Sequence, residues 1–286
     1  MRTKIFSGIA ALALMGVSGT AMADEDSGIG LHGFGDISLK TDYVTPRGLV
    51  VTTQGAAIQV LNGLVLTTPV GVTFHAGTWV DINPGYSRAD GNITAVNEFD
   101  FFFGVDKNIA KGLNLGVEYS QFISGQPSVA FKDERNIEFA LKYSDNPTGK
   151  VSINPYGKFF WAFDSRSSTV VTGKAGKTFD IELGAAPTYK GKGFSLTAPT
   201  WITVGPKTYW GLGANKDGNV GVFSTGLKGS VPLSFLSGTG AKASLYGFVQ
   251  YYNLINDNLV RAKGILNSGA SNRDHFVFGT GINFGF

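Results

Sequence analysis

The sequence predicts an all-β protein, a transmembrane antiparallel up-and-down β-barrel of about twelve strands with both termini on the periplasmic side. Three observations support this fold. After the first two dozen residues, apolar side chains alternate with polar or very small ones in about twelve segments. Long and short connections alternate along the chain, as in outer-membrane barrels. Charged residues make up 16% of the 286 residues, against about 25% in soluble domains.

Residues 1–23 have the pattern of a secretory signal peptide, which leaves 24–286 as one barrel domain. Arg2 and Lys4 precede a short apolar stretch, and Ala21-Met22-Ala23 forms a small-x-small cleavage site. The apolar stretch is too short for a spanning helix. The leader removes two basic residues from a net charge of +3, so the pI of 8.9 overstates the basicity of the exported chain. Nucleic acid is therefore not an expected partner.

The alternating segments each present one apolar face and one polar or small face, as strands do. A soluble β-sandwich or lipocalin-like barrel also alternates, but its polar face would carry many Lys and Glu side chains. Here that face is rich in Gly, Ser, Thr and Asn, which favours the membrane barrel. Pro155 and Pro199 fall inside two segments, where they predict bulges or displaced boundaries. The predicted strands are 31–44, 54–67, 72–82, 97–106, 113–122, 136–145, 150–163, 178–187, 194–204, 220–231, 241–252 and 275–286.

The connections divide into two classes. Long ones at 83–96, 123–135, 164–177, 205–219 and 253–274 carry loop signals such as Asn83-Pro84-Gly85. Short ones include 68–71, 145–149 and 186–193. We expect the long class to be extracellular and the short class to be periplasmic turns.

The last segment ends on an aromatic residue inside a strand. Phe276, Phe278, Ile282, Phe284 and Phe286 fall on one face, and glycines and Asn283 on the other. The ending resembles the β-signal of outer-membrane proteins, with Gly281, Phe284 and Phe286 in its places and Gly279 where a large polar residue is usual. The resemblance implies recognition by the barrel-assembly machinery.

Residues 36–145 are similar to the TorF family of porin-like proteins. The similarity lies in Ser38, Thr41-Asp42-Tyr43-Val44, Arg47-Gly48, Glu98-Phe99-Asp100, Gly104, Gly116-Val117-x-Tyr119 and Asn136-x-Glu138. Thr45-Pro46 stands where that family has an aromatic before Arg-Gly. The resemblance implies an outer-membrane barrel with a porin-like role.

If the apolar face meets lipid, the other face lines a lumen. The acids near the outer ends of their strands and the lysines near the inner ends predict an acidic outer vestibule and a more basic inner one. The same charges would alternatively pair across the lumen and close it. Inward aromatics at 34, 102, 156, 160, 201, 246 and 248 would narrow it further. The pore-lining candidates are Asp36, Lys40, Asp42, Glu98, Asp100, Glu118, Glu138, Lys142, Lys158, Asp180, Glu182, Lys228 and Lys242.

The function expected from these features is diffusion of small hydrophilic solutes or ions across the bacterial outer membrane. One alternative is a closed barrel with a structural or surface role for its long loops. Another is a lipid hydrolase, for which His275 with Ser268 and Ser271 are the nearest candidates, although no nucleophile-elbow pattern occurs. With no cysteine and three histidines, no metal, cofactor or catalytic residue is predicted. Membrane lipid and lipopolysaccharide are the expected surroundings, and the oligomeric state stays open.

Overall fold

The structure, a computed structural model, describes residues 29–53, 55–84, 96–124, 133–165, 176–206, 219–239, 241–267 and 269–286. The predicted signal peptide at 1–23 lies outside these ranges, as do most of the long connections predicted at 83–96, 123–135, 164–177 and 205–219.

Strands make up most of the described chain. One α-helix, α1 (Asp257–Leu266), and one 3₁₀ helix (Ser234–Thr239) accompany them. The strands are β1 (Gly30–Lys40), β2 (Tyr43–Val44), β3 (Val50–Thr52), β4 (Ala57–Thr67), β5 (Val72–Ile82), β6 (Val96–Ala110), β7 (Leu113–Ser124), β8 (Glu134–Tyr143), β9 (Val151–Ser152), β10 (Pro155–Ser165), β11 (Gly176–Ala185), β12 (Thr188–Lys190), β13 (Ser195–Thr197), β14 (Thr200–Val204), β15 (Val220–Pro232), β16 (Lys242–Leu254) and β17 (Asp274–Gly285).

Neighbouring strands pair antiparallel around a closed barrel of twelve staves, where a stave is one full-length strand or two short strands end to end. This confirms the predicted antiparallel barrel of about twelve strands. β1 closes the barrel against β17, from Phe34 opposite Gly285 to Lys40 opposite Gly279. Nine staves are single strands, and three are composite: β9 with β10, β11 with β12, and β13 with β14. The short turns and both ends of the described chain lie at one end of the barrel, called the turn end below. The opposite end is called the loop end.

The three composite staves are interrupted near prolines, as predicted for Pro155 and Pro199. A proline has no backbone N–H to give to a ladder, so each stave breaks there. Pro155 begins β10, and Pro187 and Pro199 lie in the other two gaps. Neighbouring amides bridge the gaps, with Ala198 N donating to the Pro187 oxygen at 2.8 Å. The predicted connection at 186–193 was too long, since β12 lies within it and the turn begins at Gly191, whose N–H donates to the Phe194 oxygen.

The two faces of the wall differ as the alternation predicted. Large apolar side chains stand exposed on the outer face, including Phe103, Leu183 and Phe278. The inner face carries buried polar and charged side chains together with aromatic rings. Backbone groups of a lipid-embedded sheet have to be bonded internally, and a closed ladder achieves this.

The closing seam is filled by the last two phenylalanines. The rings of Phe284 and Phe286 lie over Gly35 and Gly33 of β1, where a Cβ would overlap each ring. The two glycines therefore leave the space that the terminal rings occupy on the outer face of the barrel.

Two elements depart from the prediction. The first segment was expected to run to residue 44, but β1 ends at Lys40 and the chain turns into a small hairpin of β2 and β3. The connection at 253–274 was expected to be a loop, but it contains α1. Both pack inside the loop end of the barrel, where apolar side chains from the wall bury them.

Candidate functional site: the barrel lumen

The hairpin formed by β2 and β3 crosses the lumen at the loop end. Its turn requires Gly48, whose φ is +89° and whose Cα lies so close to β15 that a Cβ would meet the Val222 side chain. On this side Trp201 of β14 donates its indole N–H to the Pro46 oxygen at 2.9 Å. On the other side Arg47 reaches β7, β8 and β10. The tip of the hairpin thus contacts the wall at several places along the arc from β7 to β15.

The base of the hairpin is fixed to β5 and β6. Tyr43 lies against Trp79 at 5.4 Å between ring centroids, and its hydroxyl donates to Glu98 Oε2 at 2.6 Å. Burial, followed by the neighbouring carboxylates, raises the pKa of Tyr43 above its usual value. The phenol therefore stays neutral and keeps its donor directed at the carboxylate.

Helix α1 completes the filling of the loop end. Asn256 caps it by accepting from Asn258 N at 3.0 Å, and Leu259 and Leu266 are buried on its inner face. These side chains share one apolar cluster with Leu49 and Val50 of the hairpin and with four wall residues, Val222, Tyr252, Leu254 and Val277. The i, i+3, i+7 spacing of Leu259, Ala262 and Leu266 would have allowed the helix to be found from sequence.

Two side-chain bonds lock the helix to the hairpin. Asn267, after the helix, accepts from Thr53 N at 2.9 Å and donates to the Val50 oxygen at 3.0 Å. Lys263 is buried and donates to Asn272 Oδ1 at 2.8 Å, and burial lowers the pKa of Lys263. Through the bonds of Asn267, the hairpin and the helix form one packed unit inside the loop end of the barrel.

Arg47 lies over two stacked rings on β7 and β10. Its guanidinium carbon is 3.9 Å from the ring centroid of Phe160 and 5.4 Å from that of Phe122. A guanidinium nitrogen lies 3.8 Å from Glu134 Oε1. Such an arrangement combines cation–π attraction with charge pairing. Arg47 was noticed in the sequence only for its family resemblance, because its loop position gave no sign that it enters the lumen.

The acidic candidates Glu98 and Asp100 lie near the loop end of β6, on the inner face. Nearby Asp81 of β5 accepts from Gln59 Nε2 at 2.9 Å and from Asn97 Nδ2 at 2.7 Å. Asp81 and Glu134 were not among the predicted residues. Their inward place in the alternation of β5 and β8 was the signal that would have found them.

Nearer the turn end of the wall, two sets of ionisable side chains pair across one or two strands. His75 lies between two carboxylates, with Nδ1 3.0 Å from Asp106 Oδ2 and Nε2 3.0 Å from Glu118 Oε2. Lys158 lies between Glu138 at 3.4 Å and Glu182 at 3.8 Å. Asp106 was a missed candidate, although its position in β6 shares the parity of Asp100. These pairs follow the wall between β5 and β7 and between β8 and β11.

The wall of β1, β15 and β16 carries another group of charged side chains. Tyr246 donates to Asp36 Oδ1 at 2.7 Å, and the Lys228 ammonium lies 3.8 Å from the Tyr246 ring centroid. Lys40 stands 5.7 Å from the Phe248 centroid. The ring of Tyr246 also lies over Gly281, where a Cβ would overlap it, so the glycine of the predicted β-signal has a packing reason.

Four other candidates are placed differently from the rest. Asp42 lies beyond β1, beside the hairpin, with its carboxylate 3.6 Å from His275 Nε2, so its placement on the first strand was wrong. Lys242 is exposed at the turn end of β16. Lys142 is half-buried near the turn end of β8, and Asp180 is buried on β11, opposite Phe160.

The histidine arrangement does not bring the hydrolase candidates together within the described chain. His275 pairs with Asp42, and Ser271 is exposed. Ser268 lies outside the described residues. Among the described residues no group of three or more metal-ligating side chains is placed to hold a metal ion. No helix within the described ranges has the length and hydropathy of a membrane span.

No protein-family model matches the chain, and no curated protein sequence matches it. A NanC porin structure aligns with a TM-score of 0.46 and 9% identity, over 88% of this chain and 98% of that chain. An outer membrane channel from Pseudomonas putida F1 aligns at 0.47 and 13%, over 93% and 99%. OmpT, an outer membrane protein of Vibrio cholerae, aligns at 0.37 and 12%, over 90% and 99%. All three TM-scores are below 0.5, and the barrel fold rests on the strand pairing of this chain itself.

A closed antiparallel barrel with an apolar exterior and a polar interior is the transmembrane architecture of the bacterial outer membrane. This chain has that architecture, and it is an outer-membrane β-barrel.

Proposed function

We propose that the protein is a channel through which small hydrophilic solutes or ions diffuse across the outer membrane. The observation that carries this function is the inner wall, where ionisable side chains pair between strands. Glu138, Lys158 and Glu182, for example, join neighbouring staves on one side of the lumen. A barrel built only as a scaffold gains more stability from a packed apolar interior than from buried ion pairs.

The hairpin and α1 make the loop end the narrow part of this channel. Planar-bilayer recording of the folded protein is the direct test, and we expect small, stable conductance steps. A variant in which a short Gly-Ser linker replaces residues 43–52 should conduct more, because the segment that crosses the lumen is gone. A wild-type barrel that is correctly folded and silent would contradict the proposed channel.

The charges near the hairpin predict a preference for cations. Asp81, Glu98, Asp100 and Glu134 line the loop-end lumen along the arc from β5 to β8, and Arg47 and Lys40 are cations near them. Carboxylates bordering a narrow pore raise the local cation concentration. The reversal potential under a KCl gradient should have the sign that indicates cation selectivity. It should move towards zero in the E98Q/D100N variant. The matched control is D145N, in a turn at the other end.

The closed barrel is the second candidate, favoured by the apolar cluster that joins the hairpin, α1 and the wall. If that cluster seals the loop end, the wild type will be silent and the linker variant will conduct.

Lipid hydrolysis is the third candidate function, and it is tested by measuring phospholipid turnover before and after the change of His275 to Ala.

The orientation and biogenesis belong to the same proposal. The turn end faces the periplasm, residues 1–23 are removed on export, and Gly281, Phe284 and Phe286 are recognised by the barrel-assembly machinery. The loop end faces lipopolysaccharide. Proteinase treatment of intact cells should cleave within the loops before the turns, and the F286A variant should accumulate less folded barrel.

A further inference from the structure

The Arg47 cage is defined here as the site formed by Phe122, Phe160, Glu134, Asp100 and Asp180 on the inner wall. The two rings are stacked at 6.3 Å between centroids, with an interplanar angle of 20°. Arg47 from the hairpin lies over both of them and beside Glu134. Two aromatic faces and a carboxylate are the elements that recognise an organic cation in proteins.

The cage holds more acidic side chains than the one guanidinium can pair with. Asp100 is opposite Phe122 in the β6–β7 register, and Asp180 is opposite Phe160 in the β10–β11 register. The two aspartates are 7% and 1% exposed, and one oxygen of each, Oδ1, has no hydrogen-bond partner. Buried acceptors without a donor are costly, and a native protein needs a reason to keep them. Two such acceptors flank the rings on either side.

The chemistry of the cage selects among solute classes. Three acidic side chains disfavour an anion, and a solute without N–H donors would leave the two aspartate oxygens without a partner. A cation with several N–H donors fits the aromatic faces and the acceptors at once. We propose that the cage is a binding site for small organic cations with a guanidinium group, and that Arg47 occupies it as an internal competitor. This inference rests on the proposed function, since it names the solute class that the lumen selects.

Arg47 belongs to the tip of the hairpin, which other residues also hold in place. Tyr43 and Trp201 hold the base and the far side of the hairpin without Arg47. A solute that replaces Arg47 therefore needs to displace one side chain and not the whole hairpin. Because the site is open only when Arg47 leaves it, the apparent affinity equals the intrinsic affinity multiplied by the fraction of molecules in which the site is open.

Calorimetric titration of the folded barrel in detergent tests the site directly. The probe is butylguanidinium, and the control ligand is butylurea, which has a similar shape but no charge. Wild type should bind butylguanidinium weakly, and R47Q should bind it about tenfold more tightly or better, because the internal competitor is gone. Adding D180N to R47Q should lose most of that gain. R135Q removes the same charge from an exposed side chain that pairs with Asp164 at 3.7 Å, and it should bind as wild type does.

Two results would overturn the proposal: equal affinity of R47Q and wild type, or binding of butylurea as strong as that of butylguanidinium. If a gel assay of heat-modifiable migration shows that R47Q does not fold, R47K replaces it. Lysine lacks the planar fork, so R47K should also bind the probe several-fold more tightly than wild type, and unchanged affinity would count equally against the site. Binding is measured without current. A silent barrel that binds refutes only diffusion, and a conducting barrel that does not bind refutes only the cage.

Discussion

The docking of α1 against the hairpin can be weakened by one substitution, Leu259→Ala. Leu259 is 1% exposed and lies in the cluster with Leu49 and Val50. Removing a buried leucine side chain costs about 2–5 kcal/mol when the cavity does not collapse. A ten-residue helix has little stability of its own, so its order depends on this packing. The loss should therefore appear as local opening of the helix and not as unfolding of the barrel.

The size of the effect follows from that cost. At the lower figure of about 2 kcal/mol, the open population rises about 30-fold, because every 1.4 kcal/mol is a factor of ten. Amide hydrogen exchange followed by mass spectrometry should show this acceleration in residues 257–266 and not in the staves. The control is Ile265→Ala on the same helix, since Ile265 is 62% exposed and its loss should change exchange little. Equal exchange in the two variants would refute the reasoning that the cluster holds the helix.

Three further outcomes are expected. Lys158→Met leaves two buried carboxylates facing each other and should lower the free energy of unfolding by about 3–5 kcal/mol in urea titrations. Tyr43→Phe removes the 2.6 Å bond to Glu98 and should raise open-state current noise, whereas an unchanged trace would mean that the hairpin base needs no such bond. The hydrogen bond from the backbone amide of Asn154 lowers the pKa of Asp145 in the folded state. The ionised carboxylate of Asp145 therefore stabilises the folded state above pH 3.8, and this stabilisation is lost as the pH falls through the folded-state pKa. The difference in unfolding midpoint between wild type and D145N should vanish in that acid range.

The staves were predictable because lipid and lumen impose opposite requirements on alternate residues. Phe99, Phe101 and Phe103 alternate with Glu98 and Asp100 in the sequence, and no other local structure satisfies that pattern. The prolines at 155 and 199 marked the interrupted staves for an equally local reason, the missing N–H.

The hairpin was not predictable by the same means. Tyr43 and Val44 continue the apparent alternation of β1, so the sequence alone extended that strand. What turns the chain inward is contact with distant residues, such as Glu98 for Tyr43 and Val222 for Gly48. Such contacts depend on the closed barrel and leave no periodic trace. For the same reason Arg47 was recognised as part of a motif but not as a residue of the lumen.

The position of β17 between β1 and β16 sets the order of events in assembly. Until β17 is in place, each of those neighbours has an edge with no partner. Each unpaired backbone group in lipid costs several kcal/mol, so a partly built sheet has no stable resting state inside the bilayer. Insertion and closure must then be a single event. A chain that lacks its last strand should therefore fail to form a stable barrel, and the effect should exceed the loss of one strand in twelve.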